Sequence, residues 1–188
     1  MLLELISKHP LATILYSQED NELNGSCQVP LIYCSARELF IGHIANNNPL
    51  FLRQNKIVSL NFFGENAYLP PAFADNKILP SWLYTHAQIS AHLHIEECDN
   101  SKDRMMSELI NSFERSSNTG WQFSDVTPDQ KGMLFQHISF IKLKPLTWQG
   151  NFKLSQNKSG AVRKKISDNL HNIGKEELAK YIAINNGR

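Results

Sequence analysis

The sequence contains no apolar run approaching the ~18 residues that a membrane-spanning helix needs. Met1-Leu2-Leu3-Glu4 lacks the basic start and small-residue cleavage site of a secretory leader, so a cytoplasmic location is expected. Cysteine is scarce. Cys27, Cys34 and Cys98 are odd in number and have no metal-ligand spacing, which predicts reduced, partly buried thiols rather than a disulfide framework or a zinc site. The common catalytic signatures are missing too: no G-x-S-x-G, no H-E-x-x-H, no Walker loop and no G-x-G-x-x-G. Internal repeats and low-complexity linkers are also absent, which predicts one domain over residues 1–188.

What is present is ordinary for a soluble globular chain: 188 residues, 41% hydrophobic and 20% charged, enough for a substantial core. The net charge of +1 is unevenly spread. Residues 1–149 carry 11 Lys/Arg against 15 Asp/Glu, whereas residues 150–188 carry 8 against 3. Such a basic tail suits nucleic acid, a phosphate-bearing cofactor or an acidic patch on a partner subunit, and it equally suits a solvated helix surface.

The patterning predicts a mixed chain. Leu2–Lys8 reads as a short helix, followed by strands at Leu11–Tyr16, Cys27–Cys34 and Glu38–Ile44, the last two forming a hairpin. Asn48-Pro49 has the form of an N-cap with proline at the first helical position, opening a short helix over Leu50, Phe51 and Leu52. Lys56–Phe63 is a further strand, Gly64-Glu65-Asn66 a turn, and Ala67-Tyr68-Leu69 a strand stopped by Pro70-Pro71. Strict alternation from Ile89 to Ile95 marks a half-buried strand. Met105, Met106, Leu109, Ile110 and Phe113 share one helical face, with caps at Asp99–Ser101, and Thr127-Pro128-Asp129-Gln130 resembles a capping box. Phe135–Trp148 returns to strand character. Helices over about 159–172 and 175–184 follow, broken at Gly174. The fold class is therefore α+β, mainly antiparallel β, with a helical insertion over about 100–134 and a C-terminal helical tail. Pattern alone leaves a split barrel, an OB-like barrel and an α+β sandwich open.

Three clusters carry chemistry. In the first, Gly42 leads into His43, Asn46, Asn47 and Asn48 ahead of a helix start, where unpaired backbone amides and side-chain amides suit a phosphate; an ordinary N-cap with spare polar residues is the alternative. The second holds Tyr68, Pro70, Lys77, Pro80, Trp82 and Tyr84, aromatic faces beside a lysine that suit a flat ring; a dimer interface or core packing explains them equally well. The third is Phe152-Lys153-Leu154-Ser155-Gln156-Asn157, where Lys153 and Gln156 suit a phosphate or a flavin carbonyl edge, or else tie down a strand-to-helix junction. His92 and His94 share a strand face and read as its exposed side rather than as a metal pair.

These clusters resemble a known family. The K-L-S-Q-N at 153–157 is similar to the signature of PaiB-like proteins of the FMN-binding split-barrel superfamily. Gly42-His43-Ile44-Ala45-Asn46-Asn47-Asn48-Pro49 resembles a second signature of that family, and Gly64–Pro71 with Pro80-Ser81-Trp82-Leu83-Tyr84 a third. The resemblance runs from about His9 to Leu170. It implies an FMN-binding split barrel, a homodimer with its flavin pocket at the subunit interface, and negative transcriptional regulation. The implied cofactor contacts are His43, Asn46, Asn47, Asn48, Lys77, Trp82, Tyr84, Lys153 and Gln156. Three positions depart from the family pattern: Asn46 replaces a common Lys or Arg, Leu83 an Asn, and Gln88 a frequent His. Two alternatives follow, a flavin-dependent oxidoreductase whose chemistry belongs to the cofactor, and a degenerate barrel that has lost its flavin. A third is direct DNA binding through Arg163, Lys164, Lys165, Lys175 and Lys180.

Overall fold

Strands rich in β-branched and aromatic residues alternate with helices in the computed structural model, which describes residues 1–17, 25–76, 78–117 and 119–184. Helix α1 (Leu2–Lys8) precedes strands β1 (Leu11–Tyr16), β2 (Gly25–Pro30), β3 (Ile32–Cys34) and β4 (Leu39–Ala45). Then come β5 (Ile57–Leu69), β6 (Ser81–Ile95), α2 (Asp99–Ser117), α3 (Pro128–Phe135), β7 (Ile138–Lys153), α4 (Gly160–Asn172) and α5 (Glu176–Ile184). The seven strands form one sheet in the order β2-β1-β5-β6-β7-β4-β3. β1 pairs antiparallel with β2 and β5, and β4 antiparallel with β3 and β7. This is the α+β, mainly antiparallel class that the patterning predicts.

The chain forms two compact units. The first comprises Met1–Leu5, Phe63–Ala87 and Gly150–Arg188, and the second Ile6–Phe62 and Gln88–Gln149. In the first, Leu69, Leu83, Leu154, Ile166, Leu178 and Tyr181 belong to one buried cluster. Each fully buried aliphatic side chain there contributes roughly 1.5–3 kcal/mol. The α4–α5 pair carries the basic tail, and Gly174 breaks it at φ 74°, the left-handed conformation that favours glycine. Arg163 is buried under this pair and donates to the Ile182 carbonyl at 2.6 Å.

In the second unit, Met105 and Leu109 of α2 pack with Ile41 and Phe140, as the helical periodicity predicts. The sequence points to Asp99–Ser101 as capping residues, but the carboxylate that anchors this end is Glu96. It accepts from the Cys98 amide at 3.1 Å and the Ser101 hydroxyl at 2.5 Å, and it pairs with Lys142 of β7 at 2.8 Å. Thr127 and Gln130 form the expected reciprocal capping box of α3.

Several local expectations give way to tertiary structure. Gly64-Glu65-Asn66 is no turn, because β5 runs unbroken through it for 13 residues. Cys27–Cys34 is not one strand. It breaks at Leu31, fully buried after Pro30, and the Leu31 amide donates to the Pro10 carbonyl at 2.8 Å. The strand expected from Phe135 starts only at Ile138, because α3 extends through Phe135. The strand read from Ile89 starts at Ser81. The helix expected after Asn48 is a five-residue 3-10 turn, Pro49–Arg53.

Candidate functional site

The 42–53 segment lies in the second unit. His43 is half-buried opposite Phe140 in the β4–β7 register, with ring centroids 6.1 Å apart, and burial lowers its pKa so that it is neutral at pH 7. Asn46 follows β4 directly. Its amide nitrogen donates to the Gln136 carbonyl at 2.6 Å, and its amide oxygen accepts from Ser139 at 2.7 Å. Asn48 caps the 3-10 turn by accepting from the Leu50 amide at 2.9 Å. Two of the three asparagines thus have fold contacts, while exposed Asn47 has no recorded partner among the described residues. Beside this turn the Arg53 guanidinium lies 6.0 Å from the Tyr16 ring centroid and the Cys27 thiol contacts Asn48, and sequence reasoning missed Tyr16 and Cys27 as neighbours here. Burial pushes the pKa of both Tyr16 and Cys27 up. No local signal in the sequence links these positions.

The aromatic cluster lies in the first unit. Alternation along β6 turns Leu83, Thr85 and Ala87 inward and leaves Trp82, Tyr84 and His86 on the other face. Trp82 is 50% exposed and Tyr84 39%, while Tyr68 of β5 sits 6.0 Å from Trp82, centroid to centroid. The Trp82 indole donates to the Asn66 amide oxygen at 3.1 Å, and Phe63 stacks on His86 at 4.8 Å. The result is a ridge of flat rings. Lys77 lies outside the described residues.

The 153–158 junction belongs to the same unit. Ser155 has φ 57°, a left-handed conformation uncommon for a residue with a side chain. Gln156 closes the turn twice, donating to the Phe152 carbonyl and accepting from the Leu154 amide at 2.9 Å. Lys158 donates its backbone amide to Ser155 at 3.0 Å, and Ser159 caps α4. This junction helps to line a cleft of about 620 Å³, whose polar lining is Lys153, Ser155, Gln156, Asn157, Lys158 and Ser81 and whose apolar lining is Leu69, Ile78, Leu79, Pro80 and Leu83. Leu83 is one of these apolar lining residues and is fully buried.

The other candidates are engaged elsewhere. His92 and His94 stand 6.3 Å apart, and no group of three His, Cys, Asp or Glu among the described residues is placed to hold a metal. Gln88 donates to the Ser59 hydroxyl at 3.2 Å. Lys164 pairs with Asp168, Lys165 with Asp75, Lys175 with Glu65 and Lys180 with Glu4.

Three solved structures share the split-barrel fold at low identity. One is the FAD and haem binding protein from Mycobacterium smegmatis, with TM-score 0.61 and 13% identity over 81% of this chain and 69% of that one. Another is the flavocytochrome Anf3 from Azotobacter vinelandii, with TM-score 0.57 and 8% identity over 85% and 66%. The third is HutZ, the haem storage protein from Vibrio cholerae, with TM-score 0.53 and 12% identity over 80% and 90%. No curated protein matches the sequence. A family model described as "Putative FMN-binding domain" matches residues 1–144, and the chain belongs to that family. FMN, the cofactor expected from the sequence, is the ligand for which the family is named. No helix among the described residues is long and apolar enough to cross a membrane.

Proposed function

We propose that the protein is a flavin-binding split barrel that works as a homodimer and takes its biological role from FMN occupancy. The observation that carries this reading is the exposed ridge of Tyr68, Trp82 and Tyr84, in a chain whose residues 1–144 match an FMN-binding domain. An isoalloxazine needs a flat apolar platform, and rings held by strand alternation supply one at little entropic cost. Trp82 and Tyr84 would stack on the ring. Bound flavin supplies electron-transfer and hydride chemistry, while the residues here bind and orient it.

A second copy of the chain is the proposed cover for the ridge, because four aromatics (Phe63, Tyr68, Trp82 and Tyr84) stand between 39% and 58% exposed. For regulation, as the PaiB-like resemblance implies, we favour a flavin-dependent partner contact over direct DNA contact. Arg163, Lys164, Lys165, Lys175 and Lys180, the cations named for DNA contact, each have an internal partner, and Arg163 is buried.

The test is an absorbance spectrum followed by FMN titration of tryptophan fluorescence. Saturable quenching is expected, weakened about tenfold in Trp82→Ala/Tyr84→Ala, equivalent to roughly 1.4 kcal/mol of stacking. Absence of saturable quenching, or a Soret band with no flavin response, sinks the proposal.

A further inference from the structure

We propose that the cleft at the end of β7 is a binding site for a phosphate monoester carrying an apolar body. It does not rest on flavin stacking at the aromatic ridge, although the family resemblance implies Lys153 and Gln156 as flavin contacts. Its lysines, Lys153 and Lys158, lie past residue 144 where the FMN-binding family match ends.

The charges of the first unit support this assignment. Of its described cations, Arg163, Lys164, Lys165, Lys175 and Lys180 each have a carbonyl or carboxylate partner within the unit. Lys153 and Lys158 have none recorded among the described residues, and both line the cleft. No Asp or Glu lines it. Gln156 is spent on backbone groups, but Asn157 and the Ser155 hydroxyl have no recorded partner among the described residues. The available donor set is two ammonium groups, an amide and a hydroxyl. Several donors lining one cleft suit the three terminal oxygens of a phosphate monoester better than the two of a carboxylate. Leu69, Ile78, Leu79, Pro80 and Leu83 give the cleft an apolar lining too, and Leu79 stands 85% exposed, an exposure that an apolar ligand body would relieve. The cleft volume of about 620 Å³ falls within the range of roughly 300–1,000 Å³ usual for small-molecule sites.

Neither lysine has a recorded contact that holds the fold together, so Lys153→Gln/Lys158→Gln should fold as the parent does. Thermal unfolding at constant ionic strength, with inorganic phosphate and with phenyl phosphate as probes, reads occupancy directly. The parent is expected to gain Tm with both probes, and more with phenyl phosphate. The double variant is expected to bind at least about tenfold more weakly, and Lys164→Gln/Lys180→Gln, which removes paired charges, to respond as the parent does. No phosphate-dependent shift in the parent, or an equal shift in the cleft variant, overturns the proposal.

Parallel titrations with FMN and riboflavin identify the source of the phosphate. Weaker FMN binding in the cleft variant, with riboflavin unchanged, means that the ester is the flavin's own. Unchanged FMN binding means a separate phosphorylated ligand. Phosphate binding that persists in a protein blind to both flavins supports the cleft while overturning only the flavin reading.

Discussion

Lys142→Met is expected to destabilise the protein by roughly 2–4 kcal/mol, read from urea unfolding at pH 7. Glu96 is only 8% exposed, and Lys142 is its one cationic partner among the described residues. Without the ammonium, a buried carboxylate keeps just the Ser101 hydroxyl and the Cys98 amide. The expected cost stays below that of breaking a fully buried pair because the Lys142 side chain is 33% exposed and partly screened by water. The same residue predicts an acid transition. Burial raises the Glu96 pKa, but hydrogen bonds from Lys142, Ser101 and the Cys98 amide, with the Lys142 charge, outweigh it and bring it from 4.5 to about 2. A lowered folded pKa means stability that is complete above about pH 5 and is lost as pH falls through 4.5 toward 2, up to roughly 3 kcal/mol. Glu96→Gln should flatten the stability–pH slope across that window. Identical slopes in parent and variant would rule out this account. The consequence for the candidate site is indirect. Glu96 anchors the start of α2, α2 packs on Phe140, and Phe140 lies opposite His43 of β4, just before the asparagines at 46–48.

Features written within one turn of helix or one pleat of strand were legible from sequence. The α2 face through Met105 and Leu109, the Thr127–Gln130 box and the break at Gly174 stand where periodicity and capping chemistry place them. Partnerships set by distant residues were not legible. Lys165 looks like a free tail cation until Asp75, 90 residues earlier, is found beside it, and Lys180 meets Glu4 across 176 residues. The site followed the same rule. Trp82 and Tyr84 were identifiable as flat rings, yet only the strand geometry separates them, on the exposed face, from Leu83 between them. Lys153 was noticed within its signature, whereas Lys158 was not. Its place in the cleft depends on the left-handed turn at Ser155, which nothing in the residue type announces.

Gly64→Ala should cost about 1–3 kcal/mol, and adding Thr85→Ala should recover most of that loss. In the turn first read from the sequence nothing would couple position 64 to Thr85, so the coupling between the two substitutions separates the two structures. Within the continuous β5, a Cβ at Gly64 would lie 2.2 Å from the Thr85 hydroxyl oxygen and 2.6 Å from a terminal methyl of Leu5. The methyl can swing aside. The hydroxyl sits on β6, buried and with no hydrogen-bond partner among the described residues, so removing it leaves no partner unpaired. Once the hydroxyl is gone, the nearest Thr85 atom is the Cβ at 3.4 Å, an ordinary contact. A double-mutant cycle by urea unfolding should therefore give a favourable coupling of about 1 kcal/mol or more between positions 64 and 85. Additive effects would mean that the close approach of β5 and β6 is absent. Because Phe63, Tyr68, Trp82 and Tyr84 ride on these two strands, Gly64→Ala should also weaken FMN quenching, and Thr85→Ala should restore it in the same double variant. Recovery of stability without recovery of quenching would detach the aromatic ridge from flavin binding.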